Sequence, residues 1–170
     1  MIVKDLTTQF EYGWWANSRL FHVASALTPE QFIQPVAGSY GSIRNTSVHM
    51  MSTEWGWLER CGGPKRGPKL SASDYPTLAS IREKWEQVEK QIRCFLGELH
   101  DEDLSRIVEF GIGEGPKESL SIGEMLQHAA THGVHHRGQI ALLLRSLGHT
   151  PGDVDMLFYF RQLRNGIATA

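Results

Sequence analysis

Ser121-Ile-Gly-Glu124 opens a segment that runs through His128-Ala-Ala-Thr-His132-Gly-Val-His135-His136-Arg137-Gly138-Gln139 to Leu147 and stops at Gly148. The Ser-x-x-Glu spacing is a capping box, in which the serine side chain bonds forward and the glutamate reaches back. Glycine just beyond the last periodic residue is a common helix stop. The spacing therefore predicts one long helix, and four of the chain's eight histidines fall on it between 128 and 136. At about 100° per residue, His128 and His136 lie about 40° to either side of His132, with His135 about 60° and Gln139 about 20° away. This polar stripe passes into the apolar Leu143, so it faces an interior where its polar groups need partners.

Working outward, the apolar spacing predicts further helices. Leu6, Phe10, Trp14, Phe21 and Ala24 follow a three-or-four period over residues 4–27, with the polar Asn17 on the same face. Thr28-Pro29-Glu30 reads as a capped short turn, and 34–41, with Pro35, Gly38 and Gly41, as a loop. Ser42 caps a second long helix to about Arg60, carrying Thr46, His49, Thr53 and Trp57 at helical spacing. Cys61-Gly-Gly-Pro-Lys-Arg-Gly-Pro-Lys69 ends it and starts a solvated basic loop. A third helix from Thr77 to about Leu99 has the stripe Leu78, Ile81, Trp85, Val88, Ile92, Phe95 and Leu99, backed by a charged face. Arg106–Phe110 and Lys117–Leu120 flank a glycine-rich turn and read as a small hairpin. Asp153 caps a last short helix, Val154–Leu163, and 165–170 reads as a frayed tail. The expectation is one all-α domain over residues 1–170, a four-helix bundle with a minor hairpin before the last long helix.

Bulk properties narrow the function. The hydrophobic fraction of 41%, with five Trp and seven Phe, is ample for a core. The tryptophans read as core or dimer-interface aromatics rather than a substrate box. A net charge of −2 gives no basic footprint for nucleic acid. Cys61 and Cys94 form no C-x-x-C pair and read as reduced thiols. The opening Met-Ile-Val-Lys-Asp-Leu lacks a basic stretch followed by an apolar core, and no apolar run is long enough to span a bilayer. A soluble, cytoplasmic protein with no membrane partner is expected.

His132 and His136, one turn apart, are close enough to share a metal ion. A third ligand must come from elsewhere. His49 is the best candidate, because its stripe on the second helix should face the core; His22 and His100 sit near helix ends or the outer face, and His149 beside a Gly-Pro turn. Three neutral imidazoles plus water would form an open site for a divalent first-row ion, with Zn, Ni, Fe and Mn as candidates. The competing reading is a set of buried histidines hydrogen-bonded to one another or to water. Gly133 stands where a metalloprotease H-E-x-x-H would carry its glutamate, so a peptidase is disfavoured. His128 and His135 read as outer partners of the ligands, or as the only proton acceptors nearby. Gln139 reads either as orienting a ligand or as a packed core amide. Asn17 reads as lining the cavity beside the metal or as an interhelix hydrogen-bonder, and Arg137 as pointing sideways into a structural ion pair.

These segments resemble the DinB family of damage-inducible bacterial proteins, which includes a thiol-dependent transferase-like branch. Phe10-Glu-Tyr-Gly-Trp-Trp-Ala-Asn17-Ser-Arg-Leu20 is similar to the family's opening Y-N-x-W-A-N-x-R-L, with Gly13 where the family often has Asn. Ser42–His49 is similar to its second-helix histidine motif, and His128–Ile140 to its most diagnostic stretch. Gly148-x-x-Pro151 followed by Asp155-Met-Leu-Phe-Tyr159-Phe-Arg161 is similar to its closing helix. The resemblance implies an up-down-down-up four-helix bundle, a homodimer, and a metal site of His49, His132 and His136. It leaves three functional readings: a thiol-dependent S-transferase acting on a small molecule with a low-molecular-weight thiol, a metal-dependent hydrolase, or a non-catalytic metal-binding stress-response protein.

Overall fold

The structure is a computed structural model and describes residues 1–37, 40–65, 67–111 and 114–166. Helices α1 (Val3–Ala24), α3 (Ile43–Arg60), α4 (Leu78–Glu98) and α5 (Ile122–Ser146) are long; α2 (Pro29–Ile33) and α6 (Met156–Arg164) are short. Strands β1 (Ile107–Gly111) and β2 (Lys117–Ser121) form an antiparallel hairpin that pairs Ile107 with Ser121 and Gly111 with Lys117. Two residues of the glycine-rich turn between them, and two of the loop expected over 34–41, lie outside the described residues, as does the tail beyond 166.

The four long helices form the expected bundle. Helix α5 packs against α1 and α3, and α4 closes on the same two helices. Leu6, Phe10, Trp14 and Phe21 of α1 meet Met51 and Leu58 of α3, Ile81, Trp85 and Ile92 of α4, and Leu126 and Leu144 of α5 in one core. Phe21 and Trp85 meet edge-on with ring centres 5.4 Å apart. Full burial of each such side chain contributes about 1.5–3 kcal/mol, which fixes the relative positions of the helices. Helix α4 keeps its expected inner face at Ile81–Ile92 but buries Leu96 while Phe95 and Leu99 remain half-exposed. An ideal helix has 3.6 residues per turn, so a fixed apolar spacing drifts around it.

The caps set the ends. Ser121 accepts from the Glu124 amide at 3.2 Å, and Glu124 accepts from the Ser121 amide at 2.7 Å. At the other end Gly148 has φ +85°, and the amides of Gly148 and His149 bond back to the carbonyls of Arg145 and Leu144. Two expected boundaries move. Helix α1 stops at Ala24 rather than 27, because Thr28 begins a separate capping box over α2. Helix α6 starts at Met156 rather than Val154, and Asp153 does not cap it. The carbonyls of Asp153 and Val154 instead accept from Arg19 at 3.1 Å and from the Tyr12 hydroxyl at 3.0 Å. That segment is pinned to α1 in extended form. No helix among the described residues is long and apolar enough to cross a membrane.

Candidate metal centre

The packing of α3 against α5 brings His49 to the two helix-spaced histidines. His132 Nε2 lies 3.0 Å from His49 Nε2 and 3.0 Å from His136 Nε2. One nitrogen from each of the three lies within 4.8 Å of the others. His136 is buried; His49 and His132 are half-exposed, so the cluster sits at the edge of the core with a side toward solvent.

Gln139, one turn further along α5, decides the protonation of His136. Its Oε1 lies 2.6 Å from His136 Nδ1, and its Nε2 lies 3.2 Å from His135 Nε2. With the amide assigned this way round, the amide oxygen accepts from Nδ1–H, and a neutral His136 then carries a bare lone pair on Nε2. That lone pair points at the other two imidazoles. Burial holds all three rings neutral. It pushes His49 down to about 4, with help from His136 and Lys69, and His132 down to about 3, with help from the surrounding histidines. Burial lowers His136 as well, opposed by its bond to Gln139.

These features fit a metal ion. Ligand imidazoles must be neutral, and about 2.0–2.1 Å from nitrogen to a tetrahedral zinc places neighbouring nitrogens about 3.3 Å apart. A network of histidines alone serves the cluster less well. A single Nε2 on His132 cannot donate to one neighbour while accepting from the other, and His136 presents a lone pair only. Tyr40 borders the histidine group. The Tyr40 ring stacks on His49 with centres 3.7 Å apart and meets His136 edge-on at 5.3 Å.

The remaining candidate residues divide. Asn17 is buried and lines a small cavity behind His132. His128 is exposed; its ring lies 5.9 Å from that of His132 and packs edge-on to Trp57 at 4.7 Å. His135 is exposed and touches the cluster through Gln139 and the His136 ring. Arg137 differs from expectation: it turns inward and is only 5% exposed. Its guanidinium lies over the Tyr12 ring at 5.2 Å, in a slot made by two glycines. A Cβ at Gly133 would come within 2.9 Å of Arg137 Nη1, and one at Gly13 within 3.3 Å.

Two residues at the site, Tyr40 and Glu54, were not expected there. Tyr40 sits in an irregular glycine-bearing segment whose periodicity gives no direction. Glu54 carried a usable signal, as the one acid among Met50, Met51, Trp55, Trp57 and Leu58 on α3. Its carboxylate accepts from Trp85 Nε1 at 2.8 Å, and burial pushes it up to about 7, opposed by Trp85 and Arg137.

The family model described as "DinB family" matches residues 1–165. The chain belongs to the DinB family. It is similar to the protein named DinB of Bacillus subtilis (strain 168), with 24% identity over 155 residues covering 88% of this chain and 90% of that one. It is also similar to the uncharacterized protein YizA of the same strain, with 25% identity over 142 residues covering 84% and 87% of the two chains. The crystal structure of a DinB-like protein from Bacillus cereus ATCC 10987 has the same fold, with a TM-score of 0.71 at 21% identity, covering 91% of this chain and 98% of that one. A DinB-family bundle with three histidines positioned to hold a metal ion is therefore established; the reaction is a separate question, because one fold hosts many chemistries.

Proposed function

We propose that this DinB-family protein is a metal-dependent enzyme, with His49, His132 and His136 holding one divalent ion, and that it transfers a small electrophile to a low-molecular-weight thiol. The observation that carries the reading is the convergence of three neutral imidazole nitrogens at a partly solvent-facing site. Three protein ligands leave a coordination position open, as catalytic sites require and structural ones do not. A bound divalent ion supplies Lewis acidity that lowers the pKa of a thiol or water beside it.

The chain's own residues supply the rest. Gln139 keeps the proton of His136 on Nδ1 and its lone pair inward. Tyr40 borders the histidine group by stacking on His49, and Trp57, with Arg60 4.9 Å from its ring centre, packs edge-on to His128. In the transfer, the thiol sulfur bonds to the electrophilic carbon and the leaving group departs with its bonding pair. His128, on the exposed side, takes the thiol proton or passes it to solvent.

The hydrolase alternative needs a base that activates water at the open face, where the proton acceptors among the described residues are the imidazoles of His128 and His135 rather than a carboxylate. Glu54 lies on the opposite side of His132, in the cavity that also receives Arg137. This favours the thiol reading. A homodimer and a cytoplasmic location belong to the same reading; sedimentation equilibrium tests the first and fractionation of cells the second.

The test is a rate comparison. Zinc- or nickel-loaded protein, given a panel of small thiols, should accelerate conjugation to chlorodinitrobenzene, and His132→Ala should not. Ester hydrolysis without any thiol-dependent rate would replace the transferase with the hydrolase. Neither rate, with metal bound, would leave a non-catalytic metal-binding protein.

A further inference from the structure

Behind the three histidines lies a cavity of about 10 Å³, lined by Asn17, Glu54, His132, Gly133 and Arg137 among others. That is room for roughly one water molecule. The lining is unusually polar for the centre of a bundle. Asn17 is 7% exposed and Arg137 5%. Arg137 Nε has no hydrogen-bond partner among the described residues. A buried guanidinium nitrogen left unpaired costs about 1–3 kcal/mol or more, so the slot between Gly13 and Gly133 is built to hold a charge that has an unmet donor. Glu54 faces the same space, and its charge and that of Arg137 act on each other.

His132 connects this cavity to the metal centre. Its Nε2 is directed at His49 and His136. The other ring nitrogen, Nδ1, is therefore the one left to bond outside the cluster, and His132 is a wall of the cavity. A ligating histidine almost always donates its second N–H to a carboxylate, a carbonyl or a water, which fixes its tautomer and orientation. His136 has Gln139 for this purpose.

We propose that the cavity binds one water that accepts from His132 Nδ1–H and from Arg137 Nε–H and donates to Glu54 and Asn17, making Glu54 a positioning residue for the central ligand. The water is then satisfied by four polar partners, within the range typical of buried water. His132 is held in the tautomer whose Nε2 lone pair faces the ion. The role of the network rests on the metal reading above; the water itself does not.

The experiment has two arms. In metal-free protein, NMR cross-relaxation between water and the Arg137 Nε proton, and between water and the His132 imidazole proton, reports the bound water; the proposal expects both. In the second arm, Co(II) is titrated into wild type, Glu54→Gln and a control, Ile92→Val, which trims the core in α4 away from the cavity. Glu54→Gln should lose about 10–100-fold in Co(II) affinity and shift the visible Co(II) spectrum, while Ile92→Val does neither. If Glu54→Gln does not fold, Asn17→Leu, which fills the cavity with apolar volume, takes its place with the same expectation. Absence of both water contacts, or an unchanged Co(II) affinity in the folded variant, overturns the proposal. Wild-type protein that shows the water but binds no Co(II) overturns the metal reading and the positioning role while leaving the buried water in place.

Discussion

His49 Nε2 and His132 Nε2 lie 3.0 Å apart although 83 residues separate them in the chain. Helices α3 and α5 pack against each other, and this pair fixes where the histidine group sits. His136 reaches the same point from one turn further along α5.

The Gln139 amide should be the strongest orienting partner of His136. Gln139→Leu removes the acceptor 2.6 Å from Nδ1 and keeps the side-chain volume close. Zinc affinity is expected to fall about 10–100-fold, measured by competition with a chromophoric chelator. An affinity unchanged within twofold would show that the His136 tautomer is set by something else.

The two-glycine slot predicts a stability effect. Gly133→Ala places a Cβ 2.9 Å from Arg137 Nη1, so the buried guanidinium must shift to make room. Overpacking of this kind costs about 1–3 kcal/mol, or roughly 2–4 °C of Tm per kcal/mol in a chain of this size. Gly13→Ala, at 3.3 Å, should cost less. Thermal melts rank the two variants, and equal or higher Tm for Gly133→Ala would contradict the slot.

Metal-free protein should lose stability as pH falls below about 6.5. Unfolded, His49 and His132 take up protons near 6.5; folded, burial holds them neutral down to about 4 and about 3. In that window the unfolded chain binds more protons, so the stability is complete above 6.5 and declines on acidification toward about 4. Glu54 opposes this: its folded value, pushed up to about 7 by burial, means that the folded chain keeps a proton the unfolded one has released above 4.5. Urea melts between pH 5 and 6.5 should therefore show stability rising with pH, more steeply in Glu54→Gln. A flat or falling profile in the wild type would contradict neutral imidazoles at His49 and His132.

The Ser121 capping box holds the start of the helix that carries His132 and His136. Ser121→Ala removes the acceptor for the Glu124 amide and should cost about 1 kcal/mol. Metal affinity should hold nearly constant, because His132 lies three turns away. Chemical melts and zinc titration on the same variant separate the two effects.

Much of this was legible in the sequence because it is local. The Ser121 box, the Gly148 stop and the Ile81–Ile92 stripe depend on near neighbours, and the helix period places His132, His136 and Gln139 on one face whatever the rest of the chain does. His49 was readable one step less directly, as a polar residue on a stripe that had to be buried. Tyr40 was hidden because an irregular segment has no period to say where a ring points. Arg137 was misdirected for a different reason. A buried arginine depends on space left by Gly13, on another helix 124 residues away, and a missing side chain leaves no local pattern. The short α6 began later than its sequence suggested because side chains of α1, Tyr12 and Arg19, capture the carbonyls that precede it.

That three histidines from two helices hold one ion is open to a simple count of metal. Metal content by elemental analysis, after zinc loading and desalting, tests it most directly in wild type, His49→Ala and His132→Ala, with circular dichroism to verify that each is folded. About one equivalent per chain is expected in the wild type, with loss of it in both variants. Folded wild-type protein without zinc, or His49→Ala that keeps a full equivalent, would contradict it.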